Sequence, residues 1–310
     1  MQTRARFVVL SVALVSLAGC ARAQTLSGRS DSIYTWRGAL PARATLTVRN
    51  VNGPIDVRPS SGNTAEVRAE KRTSRGGGSI QDVAFDVQTG SGGDVTICST
   101  IRNQNACDNG RDRDRWNRGD DDDYGSRRYV TVAMTVLVPR GTQVRVVTGN
   151  GALSVERVGG NVEASTGNGR VHIDGTEGSV RVSSGNGDVD IRGAKASVDV
   201  RTGNGSVTVS TSEGPVDARS GNGDIDVSMS SLRARDDMEF HTGSGSVRVT
   251  LPSGYNGELD ASTGNGELRT DFELRVLGRM NPRHVRATIG TGGPKLRLTT
   301  GNGRLEIRKS

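Results

Sequence analysis

Histidine, the usual general base near neutral pH, occurs at only three positions in the 310-residue chain, His172, His241 and His284. None lies in a nucleophile elbow or an HExxH metal motif, and His172 occupies a polar position that other units fill with Ser154, Asp190, Thr208 and Asp226. Carboxylates offer more. Asp190 and Asp226, with Arg181 and Arg201, fall on polar positions of an alternating pattern, where a polysaccharide-active parallel β-helix enzyme would carry its acid, base and charge-stabilising groups. The same residues suit a plain solvated face. Calcium is a second chemistry to weigh, since nine-residue glycine-aspartate repeats bind it between coils. Here Ser184-Gly185-Asn186-Gly187-Asp188-Val189-Asp190-Ile191 puts valine where that repeat needs its ligand aspartate, and the units around Asn150 and Asn204 carry no aspartate at the strand start. The run Asp120 to Asp123 is a further cation candidate, with a solvated charge run as its alternative.

The elements that would position these groups follow from one period. Gly-Asn-Gly recurs every eighteen residues, centred on Asn150, Asn168, Asn186, Asn204 and Asn222, with later copies around Ser244, Asn265 and Asn302. Such a period marks stacked small units that bury little alone. Val144, Val162, Val180, Val198 and Val216 share one apolar slot, and Leu153, Val171, Val189, Val207 and Ile225 another nine residues on. Each is followed by a polar residue and then a second aliphatic, so every unit supplies two short half-buried strands. Glycine accepts positive φ and asparagine tolerates the left-handed region better than most residues, so Gly-Asn-Gly is read as a tight turn, and its amides as a ladder along the stack. The fold class is all-β: a β-solenoid of stacked 18-residue two-strand coils, with an antiparallel β-meander or roll as the alternative. Charge favours stacking. Arg145, Glu163, Arg181 and Asp199 alternate in sign at the eighteen-residue offset, whereas the meander would oppose Asp217 and Asp226.

Residues 1–23 read as an export signal, with Arg4 and Arg6 before an apolar stretch, Phe7 to Ala18, too short to span a bilayer. Two processing sites overlap in it. Leu17-Ala18-Gly19-Cys20 fits a lipobox in which Cys20 becomes a lipid anchor, and Ala21-Arg22-Ala23 fits ordinary cleavage before Gln24. Either cut leaves Cys98 and Cys107 as a pair suited to a disulfide in an oxidising envelope, with two free thiols or a metal pair as alternatives. Loss of Arg4, Arg6 and Arg22 leaves 38 basic and 34 acidic residues, a net +4 that does not point to nucleic acid. Residues 24–43 read as an N-terminal segment and 44–310 as the solenoid domain, with Val83 to Ile97 and Tyr129 to Val138 as longer strands. Residues 99–128 form an insertion with seven arginines and seven aspartates and no apolar period, expected to be a solvated loop. It holds the candidate partner contacts Trp116, Arg113, Arg115 and Arg118, because no Phe, Trp or Tyr occurs between Tyr129 and Phe240 to offer a stacking surface elsewhere. Tyr34 and Trp36 are expected to cover the first coil, and Arg304 to Lys309 to close the last one with a charged strand that resists edge pairing.

The blocks Val136-Leu137-Val138-Pro139-Arg140-Gly141 and Val144-Arg145-Val146-Val147-Thr148-Gly149-Asn150-Gly151, followed by serial valine and Thr/Ser-Gly-Asn-Gly units, resemble the bacterial DUF4097 family, which also carries an adhesin label. Val48-Arg49-Asn50-Val51-Asn52-Gly53-Pro54-Ile55-Asp56-Val57 is similar to that family's opening coil. The resemblance spans roughly residues 44 to 308 and implies a β-solenoid envelope protein with no established catalytic residues. The reading is therefore a non-enzymatic, exported cell-envelope module for adhesion, scaffolding or interaction, facing periplasm or surface, or else periplasmic or secreted. No cofactor is expected, the partner is an unidentified envelope or surface component, and membrane contact runs only through the lipid anchor. A polysaccharide-active β-helix enzyme and a calcium-stabilised β-roll are the alternatives.

Overall fold

The computed structural model describes residues 24–26, 31–73, 78–90, 92–101, 104–105, 107, 130–211, 213–232, 236–276, 281 and 283–310. The export segment with Cys20, and the insertion residues Trp116, Arg113, Arg115 and Arg118, lie outside them.

Alternation between aliphatic and polar residues gives strands with one dry face, and two sheets bury those faces against each other. Among the described residues one sheet has 15 strands and the other 12. Within the array all pairing is parallel at the eighteen-residue offset. In the first sheet Val144 lies opposite Val162, Val162 opposite Val180, Val180 opposite Val198 and Val198 opposite Val216. In the second, Leu153, Val171, Val189, Val207 and Ile225 form the matching column. The chain is thus a β-solenoid, and the meander register that would set Val162 against Ile173 does not form. These residues are no more than 2% exposed, a spine of aliphatic side chains between the sheets.

Gly-Asn-Gly is the corner where the chain leaves the first sheet for the second, and of the two residue types suited to positive φ it is glycine that adopts it. The asparagines keep extended backbone, and the second glycine takes the positive φ, 144° at Gly187. A Cβ at Gly187 would sit 2.2 Å from the carbonyl oxygen of Gly169 in the coil before. That approach is shorter than any side chain permits, so glycine is required by the stacking as well as by the dihedral.

Both ends depart from simple order. The strand Thr45–Asn52 takes Gln143–Asn150 on one side and Val95–Ile101 on the other, and Ile55–Pro59 likewise lies between Leu153–Glu156 and Val130–Val138, so strands that fall between these two coils in sequence extend the stack beyond the first of them. Val83 to Ile97, read as one strand, is a hairpin: Val83–Thr89 runs antiparallel to Val95–Ile101 because Gly90 N donates to the Asp94 carbonyl and turns the chain. The second of these strands continues through Ile101, three residues into the segment read as insertion. At this end Tyr34 stacks on Phe85 with ring centroids 4.4 Å apart, and Trp36 lies over Gly38. The buried Lys71 donates from Nζ to the carbonyls of Ile80 and Val83, while desolvation holds its pKa below the usual lysine value.

At the other end, the chain's last coil is not the last of the stack. Lys295–Asn302 inserts between Met238–Ser244 and Gly257–Asn265, and Leu305–Lys309 inserts between Val247–Leu251 and Leu268–Thr270. Arg304 to Lys309 therefore does not guard an edge; the edge strands are Leu268–Thr270 and Leu274–Val276. The two competing coils share the same Thr-Gly-Asn-Gly corner, but Leu296 and Leu298 offer more bulk to Met238 and Phe240 than Leu259 and Ala261 would. The crossing segment is fixed where Thr291 N donates to Asn256 Oδ1 at 2.9 Å and Glu258 N to the Pro294 carbonyl at 3.0 Å.

Gly187→Ala is expected to cost at least about 3 kcal/mol, since it adds a backbone collision to the usual positive-φ strain. Gly141, whose φ is 81° but whose Cβ would meet nothing within 4 Å, provides the comparison, and Gly141→Ala should cost only about 1 kcal/mol. Urea melts of the two variants check this; equal losses would mean that conformational freedom alone explains the corner.

Candidate functional site

Each corner carries two ladders. On the outside, Nδ2 of Asn168, Asn186, Asn204 and Asn222 donates to Oδ1 of the asparagine eighteen residues earlier, each at 2.8 Å, and Asn265 donates to Asn302 at the same distance. Ser244 interrupts the column between Asn222 and Asn302. On the inside, the hydroxyls of Thr148, Thr166, Ser184, Thr202, Ser220, Thr242, Thr263 and Thr300 are buried and donate to glycine carbonyls at 2.8–3.4 Å. This hydroxyl column escaped the sequence reading. Its signal was present, because every Gly-(Asn/Ser)-Gly of the series follows Thr or Ser in a slot that alternation turns inward. With the amides and hydroxyls spent on the stack itself, the corner is a structural seam.

The outward face of the second sheet brings His172, Asp190, Thr208, Asp226, Arg248 and Glu306 into one column. Asp190 is shared by His172 Nδ1 at 3.3 Å and Arg192 Nη2 at 3.0 Å. Arg248 bridges Asp226 and Glu306, both at 2.9 Å, which keeps Glu306 below the usual carboxylate range through hydrogen bonds from Arg248 and then Arg308. A shallow groove of about 190 Å³ runs beside Asp226, Arg248 and Arg304. Asp190 and Asp226 stand two rungs apart, roughly 10 Å between backbones, with Thr208 between them. Each is already neutralised by arginine, and no imidazole reaches both. The pair does not assemble the converging acid and base that glycoside cleavage requires. Among the described residues no group of three or more His, Cys, Asp or Glu is placed to hold a metal ion.

The first sheet carries a different column: Arg145, Glu163, Arg181, Asp199, Asp217 and Glu239. Arg145 meets Glu163 at 3.1 Å and Arg181 meets Asp199 at 3.5 Å, as sign alternation demands. Alternation then stops, and Asp199, Asp217 and Glu239 follow one another. Glu239 N donates to Asp217 Oδ1 at 2.8 Å, yet desolvation, with the neighbouring Asp199 and Glu239 charges, raises the Asp217 pKa. Arg201 and Arg219 flank the run, pairing with Asp199 at 3.5 Å and Glu239 at 2.7 Å. Cys98 and Cys107 form a disulfide with Cα atoms 5.4 Å apart. It closes the start of the charged insertion onto the buried strand Val95–Ile101.

With this geometry in place, the family is decided by one match: the Toastrack DUF4097 model fits residues 45–308, most of the chain. The chain belongs to the Toastrack DUF4097 family. The Toastrack chain also aligns with solved structures of a candidate cell adhesion protein from Clostridium sporogenes (10% identity, 90% of this chain and 100% of that one, TM-score 0.30) and a candidate adhesin from Bacteroides fragilis (11%, 91% and 99%, 0.45). A candidate adhesin from Parabacteroides distasonis gives 12% identity over 90% and 98% of the two chains, with a TM-score of 0.38. Such values transfer no role to this Toastrack protein. No curated protein matches it.

Because the raised Asp217 pKa means that the folded state resists its ionisation, stability from this group is full below the unfolded-state value and falls as pH rises through the folded one. Asp217→Asn keeps an acceptor for Glu239 N and removes the repulsion. Its melting temperature should exceed that of the parent at pH 7, with the gain vanishing near pH 3; a gain independent of pH would contradict this electrostatic account.

Proposed function

We propose that this protein is an exported, non-enzymatic rod of the cell envelope that presents an interaction surface at a set distance from the membrane. The observation that carries the reading is the continuous backbone stack. The first sheet runs through 14 successive strands from Gln24–Leu26 to Leu274–Val276, which at about 4.8 Å per strand gives roughly 60 Å. Stiffness follows because each inner coil of the array is hydrogen-bonded to both neighbours and locked at a glycine contact too close for slippage. The candidate anchor Cys20 precedes Gln24 by four residues, which puts attachment at the Gln24 end and leaves the Leu274–Val276 end distal. The neutralised carboxylates of the second sheet favour contact over turnover.

Metabolic labelling with a palmitate analogue, followed by fractionation, tests the anchored rod. Label on the wild type, its loss in Cys20→Ala and the shift of that variant into the soluble fraction are the expected results. Unlabelled wild-type protein with a free Gln24 terminus would contradict the anchor and leave a secreted or periplasmic rod.

A further inference from the structure

Arginines on the sheet faces in the body of the stack sit close to a carboxylate, as in Arg145 to Glu163 at 3.1 Å, Arg219 to Glu239 at 2.7 Å and Arg248 to Asp226 at 2.9 Å, whereas Arg140 and Arg157 at the turns make no ion pair among the described residues. The last four strands of the first sheet break that habit. Lys295–Asn302, Gly257–Asn265, His284–Ile289 and Leu274–Val276 point Lys295, Arg297, Arg286 and Arg275 outward, all exposed. Against them stand Glu258 and Asp260 on the same strands, and Glu239 opposite Arg297 on the adjoining strand, its carboxylate already taken by Arg219 at 2.7 Å. Asp260 is shared three ways and loosely: His284 Nε2 lies at 3.4 Å, Arg286 Nε at 3.9 Å and Arg297 Nε at 4.0 Å. The side chains of Arg275 and Lys295 make no ion pair among the described residues, although Lys295 N donates to Asp237 Oδ1 at 2.7 Å. Unspent guanidinium donors are thus gathered at the distal end of the rod.

The rest of the face narrows the partner. Its other outward residues are His284, Thr288, Ser262 and Thr299, so it offers no apolar wedge to a bilayer, and its one ring, His284, is held against Asp260 rather than set out as a row on which successive bases could stack. What it offers is a flat grid of cations at strand spacing, and arginine forks match carboxylates in pairs. We propose that these four strands are a docking surface for a linear acidic polysaccharide, with Arg275, Arg286 and Arg297 as the carboxylate-binding groups. The surface deepens the envelope-rod reading and rests on it.

The test compares the purified mature chain with Arg275→Gln/Arg286→Gln/Arg297→Gln and with a charge-matched control, Arg145→Gln/Arg181→Gln/Arg201→Gln, for binding to immobilised polygalacturonate. The expected result is salt-sensitive binding that falls at least about tenfold in the distal variant and less than about twofold in the control. Replacing the same three distal arginines by lysine should give an intermediate loss, because charge is kept and the fork is not. Absent binding, equal loss in the control, or equal binding to phosphatidylglycerol vesicles or duplex DNA would each overturn the proposal. Lipid labelling at Cys20 is independent of all these arms, so failure here with labelling intact would remove the docking surface and leave the rod.

Discussion

The close passage of one backbone over another at the Gly-Asn-Gly corner governs the rest of this structure. Carbonyl oxygens of Gly151, Gly169, Gly187 and Gly205 occupy the space where a Cβ would project from Gly169, Gly187, Gly205 and Gly223. Only glycine lets the coils approach to hydrogen-bonding distance, and only that approach brings the asparagine amides to 2.8 Å and the buried hydroxyls onto the glycine carbonyls. Valine spine, amide column and hydroxyl column are three consequences of one spacing. A coil displaced by one residue would turn its aliphatics outward, bury its charges and set Cβ atoms against carbonyls, so the register is held by several penalties at once.

With the register fixed from within, the outward faces are free to vary. The two columns carry ion pairs between neighbouring coils, most of them exposed and individually weak. The acidic run at Asp199, Asp217 and Glu239 shows that a like-charge step is tolerated where flanking arginines offset part of the repulsion. The surplus of cations at the distal end sits on the same permissive scaffold. A surface that contributes little to folding can be shaped for contact, and that separation of duties suits a presenting rod better than a catalyst.

The spacing of the corners made the array legible: the aliphatic slots, the parallel stacking and the outward position of His172 all follow from periods of two and eighteen. The conformation of the corner was legible in part, because glycine and asparagine both suit positive φ and only the passage of one backbone over the next assigns it to the second glycine of the triplet. The ends were hidden. Coils 257–270 and 295–309 share one motif, and only the bulk of Leu296 and Leu298 against Met238 and Phe240 decides which lies inside. The hairpin at Gly90 to Asp94 was signalled by its glycines but masked by strand-forming residues on either side, Val83 to Thr89 and Val95 to Ile101. The distal cations are far apart in sequence, and an antiparallel strand that no period predicts, His284–Ile289, brings Arg286 beside Asp260.

Cysteine cross-linking across adjacent rungs tests the stacking most directly. Ser165 and Ser183 point outward on neighbouring strands and are paired in register, about 4.8 Å apart at the backbone, within the reach of a disulfide. Ser165→Cys/Ser183→Cys should oxidise readily to an intramolecular bridge, while Ser165→Cys/Arg201→Cys, two rungs apart, should not. Bridging of the distant pair, or none in the near one, would contradict the account.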